Sequence, residues 1–330
     1  FHSLQFLDLS IALRSNWIVA RRLLMEKSFC IILPCFNESG VIAQLLRDIE
    51  AKTVQSSYAF RIILVDDGST DDTVAIAKAF QFQSPLYELK IIQLRHNSGH
   101  QEAIRHGLHY AHSLQTNAAG YIVMDSDGED DPAAILNFIQ GAGTNDIMLV
   151  NRGSRQESFR FKVGYFFYRI IFQIITGRNI SHGNFSMISD RVLAKIVHQP
   201  FIHYGSFLTK QKMGISYFTF DRAARIDNNP KMNFQSLVFH GLYSMIEYSE
   251  EILYSLMKLF VLFIFALFGV ACYVIYSKYI AFTAISGWTS GVAGSLFISL
   301  LVIVSTVILG LILLSIKKIM LQTSKNYDEV

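Results

Sequence analysis

From Ser28 onward, short unbroken apolar runs alternate with longer stretches in which apolar residues recur every three or four positions. The runs are Phe29-Cys-Ile-Ile-Leu33, Phe60-Arg-Ile-Ile-Leu-Val65, Leu89-Lys-Ile-Ile-Gln-Leu94 and Tyr121-Ile-Val-Met124. Such runs, bounded by turn residues, predict strands buried on both faces, as in a parallel sheet. Between them Val41–Lys52, Thr70–Phe80 and His100–Gln115 carry helical periodicity. Pro132 opens a further helix at a position where its missing N–H costs nothing. Asp146–Asn151 reads as a fifth strand. This rhythm predicts right-handed crossovers and an α/β, Rossmann-like, mostly parallel and doubly wound sheet.

Beyond residue 152 the pattern changes. Arg152, Arg155, Arg160, Lys162 and Arg169 are interleaved with Phe159, Phe161, Tyr165, Phe166, Phe167 and Tyr168. Residues 234–255 place apolar side chains at helical spacing among Glu247, Glu250 and Glu251, which predicts amphipathic helices lying along a membrane surface. Leu259–Ser277 and Tyr279–Ile316 contain no charged residue. About 20 apolar residues cross the hydrocarbon core as a helix. A first span over 256–277, a short loop over 278–291 and a second span over 292–316 are therefore expected. The break is Ser286-Gly-Trp-Thr-Ser-Gly291. A helical hairpin buried in a soluble protein is the other arrangement that this composition allows.

Lys317, Lys318 and Lys325 follow the second span, whereas the loop carries only Lys278. Basic residues favour the cytoplasmic side. The expected topology is thus multi-pass in the inner membrane, with the catalytic part, both termini and the tail over 317–330 cytoplasmic, and with Trp288 at the far interface. Two spans are few for a lipid-handling protein, so a homo-oligomer formed through them is a further expectation. Residues 1–27 show no signal-peptide pattern. Leu4, Leu7, Ile11, Arg21 and Arg22 suit either an amphipathic helix or an irregular leader.

With 330 residues there is room for one large domain, placed at 28–233, plus the accessory segments. The net charge of +3 is too small to argue for nucleic acid, though local Lys and Arg would favour anionic headgroups. Cys30, Cys35 and Cys272 lack metal-ligand spacing and read as reduced thiols.

Three strand ends carry polar clusters: Pro34-Cys-Phe-Asn37-Glu38, Asp66-Asp67-Gly-Ser-Thr-Asp71, and Asp125-Ser-Asp127-Gly-Glu129-Asp130-Asp131-Pro132. Open α/β sheets bind ligands at the carboxyl ends of their strands. Carboxylates crowded there suit a hard cation, Mg²⁺ or Mn²⁺, which would in turn grip a diphosphate. Helix N-capping explains any one of these clusters. It explains three on one edge less well.

From Phe29 to Lys231 the chain resembles the family-2 inverting glycosyltransferases of GT-A fold. The resemblance rests on Pro34 to Glu38, Asp66 to Ser69, the N-x-G-x-x-x-A run of Asn97, Gly99 and Ala103, and the D-x-D of Asp125 and Asp127 with Glu129 and Pro132. A catalytic domain followed by two spans looks like the polyprenyl-phosphate branch, whose members move a sugar from a nucleotide donor to a lipid phosphate at the cytosolic leaflet. The Q-x-x-R-W signature of processive synthases is missing, since the two tryptophans are Trp17 and Trp288. The resemblance implies that Pro34, Asn37, Glu38, Asp66 and Asp67 bind the nucleotide. Asp125 would sit near the ribose and diphosphate, and Asp127 would coordinate the metal with Asp125 and Glu129. It also implies that Arg152, Arg155 and Arg160 take the acceptor phosphate. Arg225 (with Arg222) and Lys231 would close over the donor. Glu129 stands where many relatives have Gln, and Gly183-Asn184-Phe185-Ser186 stands where many have G-D-F-R. His100, His106, His109 and His112 read as surface or packing residues. A glycosyltransferase with another lipid or saccharide acceptor stays open, as does a catalytically silent membrane-anchored protein that binds nucleotide sugars.

Overall fold

A computed structural model describes residues 28–115, 118–152, 170, 172–174, 182–220, 243–283, 287–322 and 328–329. The chain forms two compact units. One comprises residues 1–156, 181–239 and 325–330, the other 157–180 and 240–324.

The first unit is built on a sheet of β1 (Ser28–Cys35), β2 (Ala59–Asp66), β3 (Tyr87–Gln93), β4 (Gly120–Val123), β5 (Ile147–Arg152), β6 (His182–Ile188), β7 (Ile215–Phe220) and the two-residue β8 (Asp328–Glu329). Their spatial order is β7-β5-β6-β4-β1-β2-β3-β8. The pairs β1/β2, β1/β4, β2/β3 and β5/β7 are parallel. Strand β6 runs antiparallel to both β4 and β5. The sequence therefore located the first five strands, but β5 does not lie beside β4. The unpredicted β6 fills that place and makes the sheet mixed.

Every residue of β1 is buried because helices cover both faces of the sheet. Alternate side chains divide between two cores, as the two-residue strand period requires. Phe29, Ile31 and Leu33 join Leu45, Leu46 and Ile49 of α1 (Ile42–Thr53). Cys30 and Ile32 join Ala103, Ile104 and Leu108 of α3 (His100–Ser113), together with residues of α5 (Asp190–Ile196) and α6 (Tyr204–Lys210). Two short helices, α2 (Thr73–Ala79) and α4 (Ile135–Gly141), complete the layers. The strand ends that carry the polar clusters are thus held by rigid, doubly covered strands.

The second unit contains α7 (Ser249–Tyr279) and α8 (Trp288–Gln322). Both are long and apolar enough to cross a membrane. In the most apolar window of each, 6% and 0% of the residues are buried, so protein does not cover their apolar side chains. Glu250, Glu251 and the first apolar run lie in one continuous helix from Ser249, whereas Glu247 precedes it and residues 234–242 lie outside the described residues; the second helix already starts at Trp288. Tyr273 meets the Trp288 ring edge-on at 6.3 Å. At the hairpin, the Ser277 and Thr283 hydroxyls are 2.9 Å apart.

Candidate active site

The first two polar loops are laced together. Leaving β1, Asn37 adopts a left-handed φ of 54°. Its N–H donates to Ser69 Oγ and its Oδ1 accepts from the Thr70 N–H, both at 2.9 Å. The Glu38 N–H donates to Thr73 Oγ1 at 2.9 Å, and the Ser39 N–H to Asp71 at 3.1 Å. The Cys35 carbonyl accepts from the Asp67 N–H at 2.8 Å. Within the second loop, Asp66 accepts from the Ser69 N–H at 3.2 Å. These two clusters are one object, folded by side chains that mimic backbone partners.

Asp67 ties this object to the entrance of α3. Its carboxylate, 2% exposed, accepts from the Ser98 N–H at 2.7 Å and the Gly99 N–H at 2.8 Å. Burial raises its pKa, and the two N–H groups partly offset that. The neighbouring Gly68 has a φ of 72°, and a Cβ there would lie 2.9 Å from Asn97 N. Only glycine suits both the conformation and the contact.

The third cluster closes the ring. Ser126 Oγ donates to the Pro34 carbonyl at 2.7 Å. Asp130, 4% exposed, accepts from the Asp125 N–H at 3.1 Å, and Asp131 caps the following turn through the Ala133 N–H at 2.8 Å. Asp127 Oδ1 accepts from the Glu129 N–H at 3.0 Å. Burial alternates along this turn: Ser126, Gly128 and Asp130 are buried, whereas Asp125, Asp127 and Glu129 are partly exposed. Of the five acids, then, Asp130 is buried and bonded to the turn, Asp131 caps the following turn, and Asp125, Asp127 and Glu129 keep partial exposure. Among the described residues, no group of three or more His, Cys, Asp or Glu side chains is placed to hold a metal by itself. Mg²⁺-type sites need only one or two carboxylates when substrate phosphates supply further oxygens. The hard oxygen donors of Asp125 and Asp127 fit such a cation.

One constellation escaped the sequence reading. His100 Nε2 lies 3.1 Å from Asp125 Oδ1, and Asn184 Nδ2 lies 3.0 Å from the same nitrogen and 3.5 Å from the same oxygen. His100 is therefore no mere surface or packing residue; its carboxylate partner comes from another strand end. The antiparallel register pairs Val123 with Ser186. Two residues further along, it sets Asn184 opposite Asp125. Asn184 is 4% exposed, and its Oδ1 is buried with no hydrogen-bond partner. An orphaned buried acceptor costs about 1–3 kcal/mol, so stability alone does not favour this amide.

The structure thus joins Pro34, Asn37, Glu38, Asp66, Asp67, Asp125, Asp127 and Glu129 along one sheet edge through these contacts. Arg152 ends β5, but its side chain lies outside the described residues, as do Arg155, Arg160, Arg222, Arg225 and Lys231.

Comparison with known proteins agrees with this architecture. Over 146 residues the chain is 30% identical to an uncharacterized glycosyltransferase of Bacillus subtilis (strain 168), covering 43% of each. Over 150 residues it is 29% identical to the undecaprenyl-phosphate 4-deoxy-4-formamido-L-arabinose transferase of Sodalis glossinidius, covering 45% of this chain and 44% of that one. Over 111 residues it is 31% identical to the dodecaprenyl-phosphate galacturonate synthase of Rhizobium johnstonii, covering 33% and 30%. These matches span half or less of each relative. The crystal structure of mannosyl-3-phosphoglycerate synthase from Rubrobacter xylanophilus superposes with a TM-score of 0.51 at 13% identity, covering 70% of this chain and 75% of that one, a likeness of fold. The model of glycosyl transferase family 2 matches residues 30–197, just over half of the chain. The strand ends described above fall within that match, and the chain belongs to glycosyl transferase family 2.

Proposed function

We propose that this protein is a membrane-bound, inverting glycosyltransferase that moves a sugar from a UDP- or GDP-linked donor to a polyprenyl phosphate at the cytoplasmic leaflet. The observation that carries this reading is the accessible row of Asp125, Asp127 and Glu129 at the carboxyl end of β4, in a chain that also holds two helices long and apolar enough to span a membrane. Two relatives, named for undecaprenyl- and dodecaprenyl-phosphate substrates, support the choice of acceptor.

In this reading Pro34, Asn37, Glu38, Asp66 and Asp67 shape the nucleotide pocket, mostly by fixing the loops. Asp125 and Asp127 face the donor diphosphate, with Glu129 beside them. A divalent cation, Mg²⁺ or Mn²⁺, supplies positive charge for the leaving nucleoside diphosphate when bound. Arg152, Arg155 and Arg160 are assigned to the acceptor phosphate, because guanidinium pairs bidentately with phosphate oxygens. Arg225 and Lys231 are assigned to the donor. The lipid phosphate is already ionised near neutral pH, so the displacement needs no strong base. Holding both substrates at one membrane surface supplies orientation.

The test is transfer of radiolabelled sugar from a panel of UDP- and GDP-sugars to polyprenyl phosphate by purified protein with Mg²⁺ or Mn²⁺. Label should enter the lipid phase, and Asp127→Asn or chelation should abolish the transfer. Nucleotide-sugar binding without transfer from any donor would instead indicate a binding protein.

A further inference from the structure

We propose that the segment around Asp328–Glu329 is a detachable strand docked on the outer edge of β3, and that it braces the loop into which β3 leads. The chain passes from the second unit back to the first between Ser324 and Lys325. The stretch that follows the second apolar helix therefore returns to the sheet that carries the polar clusters.

At this edge β8 runs antiparallel to β3, with Ile92 opposite Glu329 and Gln93 opposite Asp328. The other side of β3 fixes which backbone groups point outwards. The Leu94 N–H donates to the Asp66 carbonyl at 2.8 Å, and the Leu86 carbonyl accepts from the Phe60 N–H at 2.8 Å. Even-numbered residues of this stretch thus direct their backbone groups at β2. Alternation along the strand turns the N–H and carbonyl of Gln93 the other way, towards Asp328. Gln93 and Asp328 are then a pair that exchanges two backbone hydrogen bonds.

The pairing is short, and its place gives it a role. It involves two of the seven residues of β3. So small a contact would not hold a free peptide. The covalent link to α8 keeps the segment at an effective concentration in roughly the millimolar range. A strand held mainly by its tether can leave and return. Charge favours its return, since the acidic pair meets a strand that carries Lys90 and runs into Arg95. Exposed strand edges take up extended segments through unpaired backbone groups, and native sheets cover them. Here the cover lies at the end of β3 nearest the site. Beyond Gln93 the chain enters the turn whose Ser98 and Gly99 N–H groups are held by Asp67.

Hydrogen exchange of the full chain in detergent, read by mass spectrometry with fragmentation at Gln93 and at Ser98–Gly99, tests both parts of the proposal. Asp328→Pro removes the N–H that serves the Gln93 carbonyl. It should speed exchange about 5–100-fold at Gln93 and at least about twofold at Ser98–Gly99. Asp328→Ala keeps the backbone donor and should stay within about twofold of the parent at both places. In a second measurement, Gln93→Cys combined with Asp328→Cys should close a disulfide within one chain under mild oxidation. Hydrogen-bonded antiparallel partners stand about 5.5 Å apart between Cα atoms, which such a bond can bridge. Parent-like exchange at Gln93 in Asp328→Pro, an equal loss in Asp328→Ala, or a disulfide that forms only between chains would overturn the docking. Unchanged exchange at Ser98–Gly99 in Asp328→Pro would overturn the brace.

Discussion

The carboxylate of Asp67 and the backbone N–H of Gly99 are 2.8 Å apart, joining the end of β2 to the start of α3. With the Ser98 N–H at 2.7 Å, Asp67 satisfies two backbone donors while 2% exposed. Asp67→Ala leaves both donors without an acceptor, at a cost of about 2–4 kcal/mol. A melting temperature lower by roughly 5–15 °C is expected. Asp67→Asn keeps one acceptor oxygen and should lose about half as much. Parent-like melting of Asp67→Ala would show that the clasp is not needed for folding.

Two glycines near this clasp separate conformational strain from steric conflict. Gly68 and Gly99 both have positive φ, but a Cβ at Gly68 would sit 2.9 Å from Asn97 N, whereas one at Gly99 meets nothing within 4 Å. Gly99, at φ 95° and ψ 150°, lies in a region that glycine alone populates readily, so Gly99→Ala should cost only that backbone strain, about 1–3 kcal/mol. Gly68→Ala adds a backbone clash and should be markedly worse, or yield no folded protein. Thermal melting of both variants decides, and equal losses would contradict the account.

The parallel half of the sheet was legible because doubly buried strands print themselves as apolar runs. Phe29–Leu33 and Phe60–Val65 could be read without knowing their neighbours. Strand β6 could not. His182-Gly-Asn-Phe-Ser-Met-Ile188 mixes small and polar residues, and its place between β4 and β5 depends on pairings such as Ile147 with Ile188. The site divides in the same way. Clusters contiguous in sequence, such as Asp125 to Asp131, announce themselves. The His100–Asp125–Asn184 triangle joins residues 59 or more positions from Asn184, and only antiparallel pairing brings the last of them in. The one clue in the sequence was the Asn in the G-D-F-R position, opposite an acidic strand end.

The loop after β2 should be acid-sensitive. Burial pushes the Asp71 carboxyl up, but hydrogen bonds from Thr73 and Ser39 outweigh it and bring the pKa down to about 2. The unfolded carboxyl ionises near pH 4. A depressed folded value stabilises above that pH, and the gain disappears as pH falls from about 4 to about 2. Because Asp71 is exposed, screening limits the effect to about 1 kcal/mol or less. In denaturant titrations, the parent should lose slightly more stability than Asp71→Asn between pH 5 and pH 2. Parallel curves would remove Asp71 from the acid response.

A second acid window lies higher and comes from α3. His106 is 7% exposed, and burial, helped by the Arg105 charge, lowers its pKa to about 4. His109 falls to about 4 as well, through burial and then the neighbouring His198. An unfolded imidazole takes its proton near pH 6.5. Below that pH the unfolded chain gains protons that the folded one refuses. The stability contributed by neutral His106 is therefore complete above about pH 6.5 and is lost as pH falls towards 4. The loss for His106 should be roughly 1–3 kcal/mol. Melting temperatures should fall between pH 7.5 and pH 5 in the parent and fall less in His106→Gln, whose amide does not titrate. An equal fall in both proteins would mean that His106 takes its proton without unfolding the segment around it.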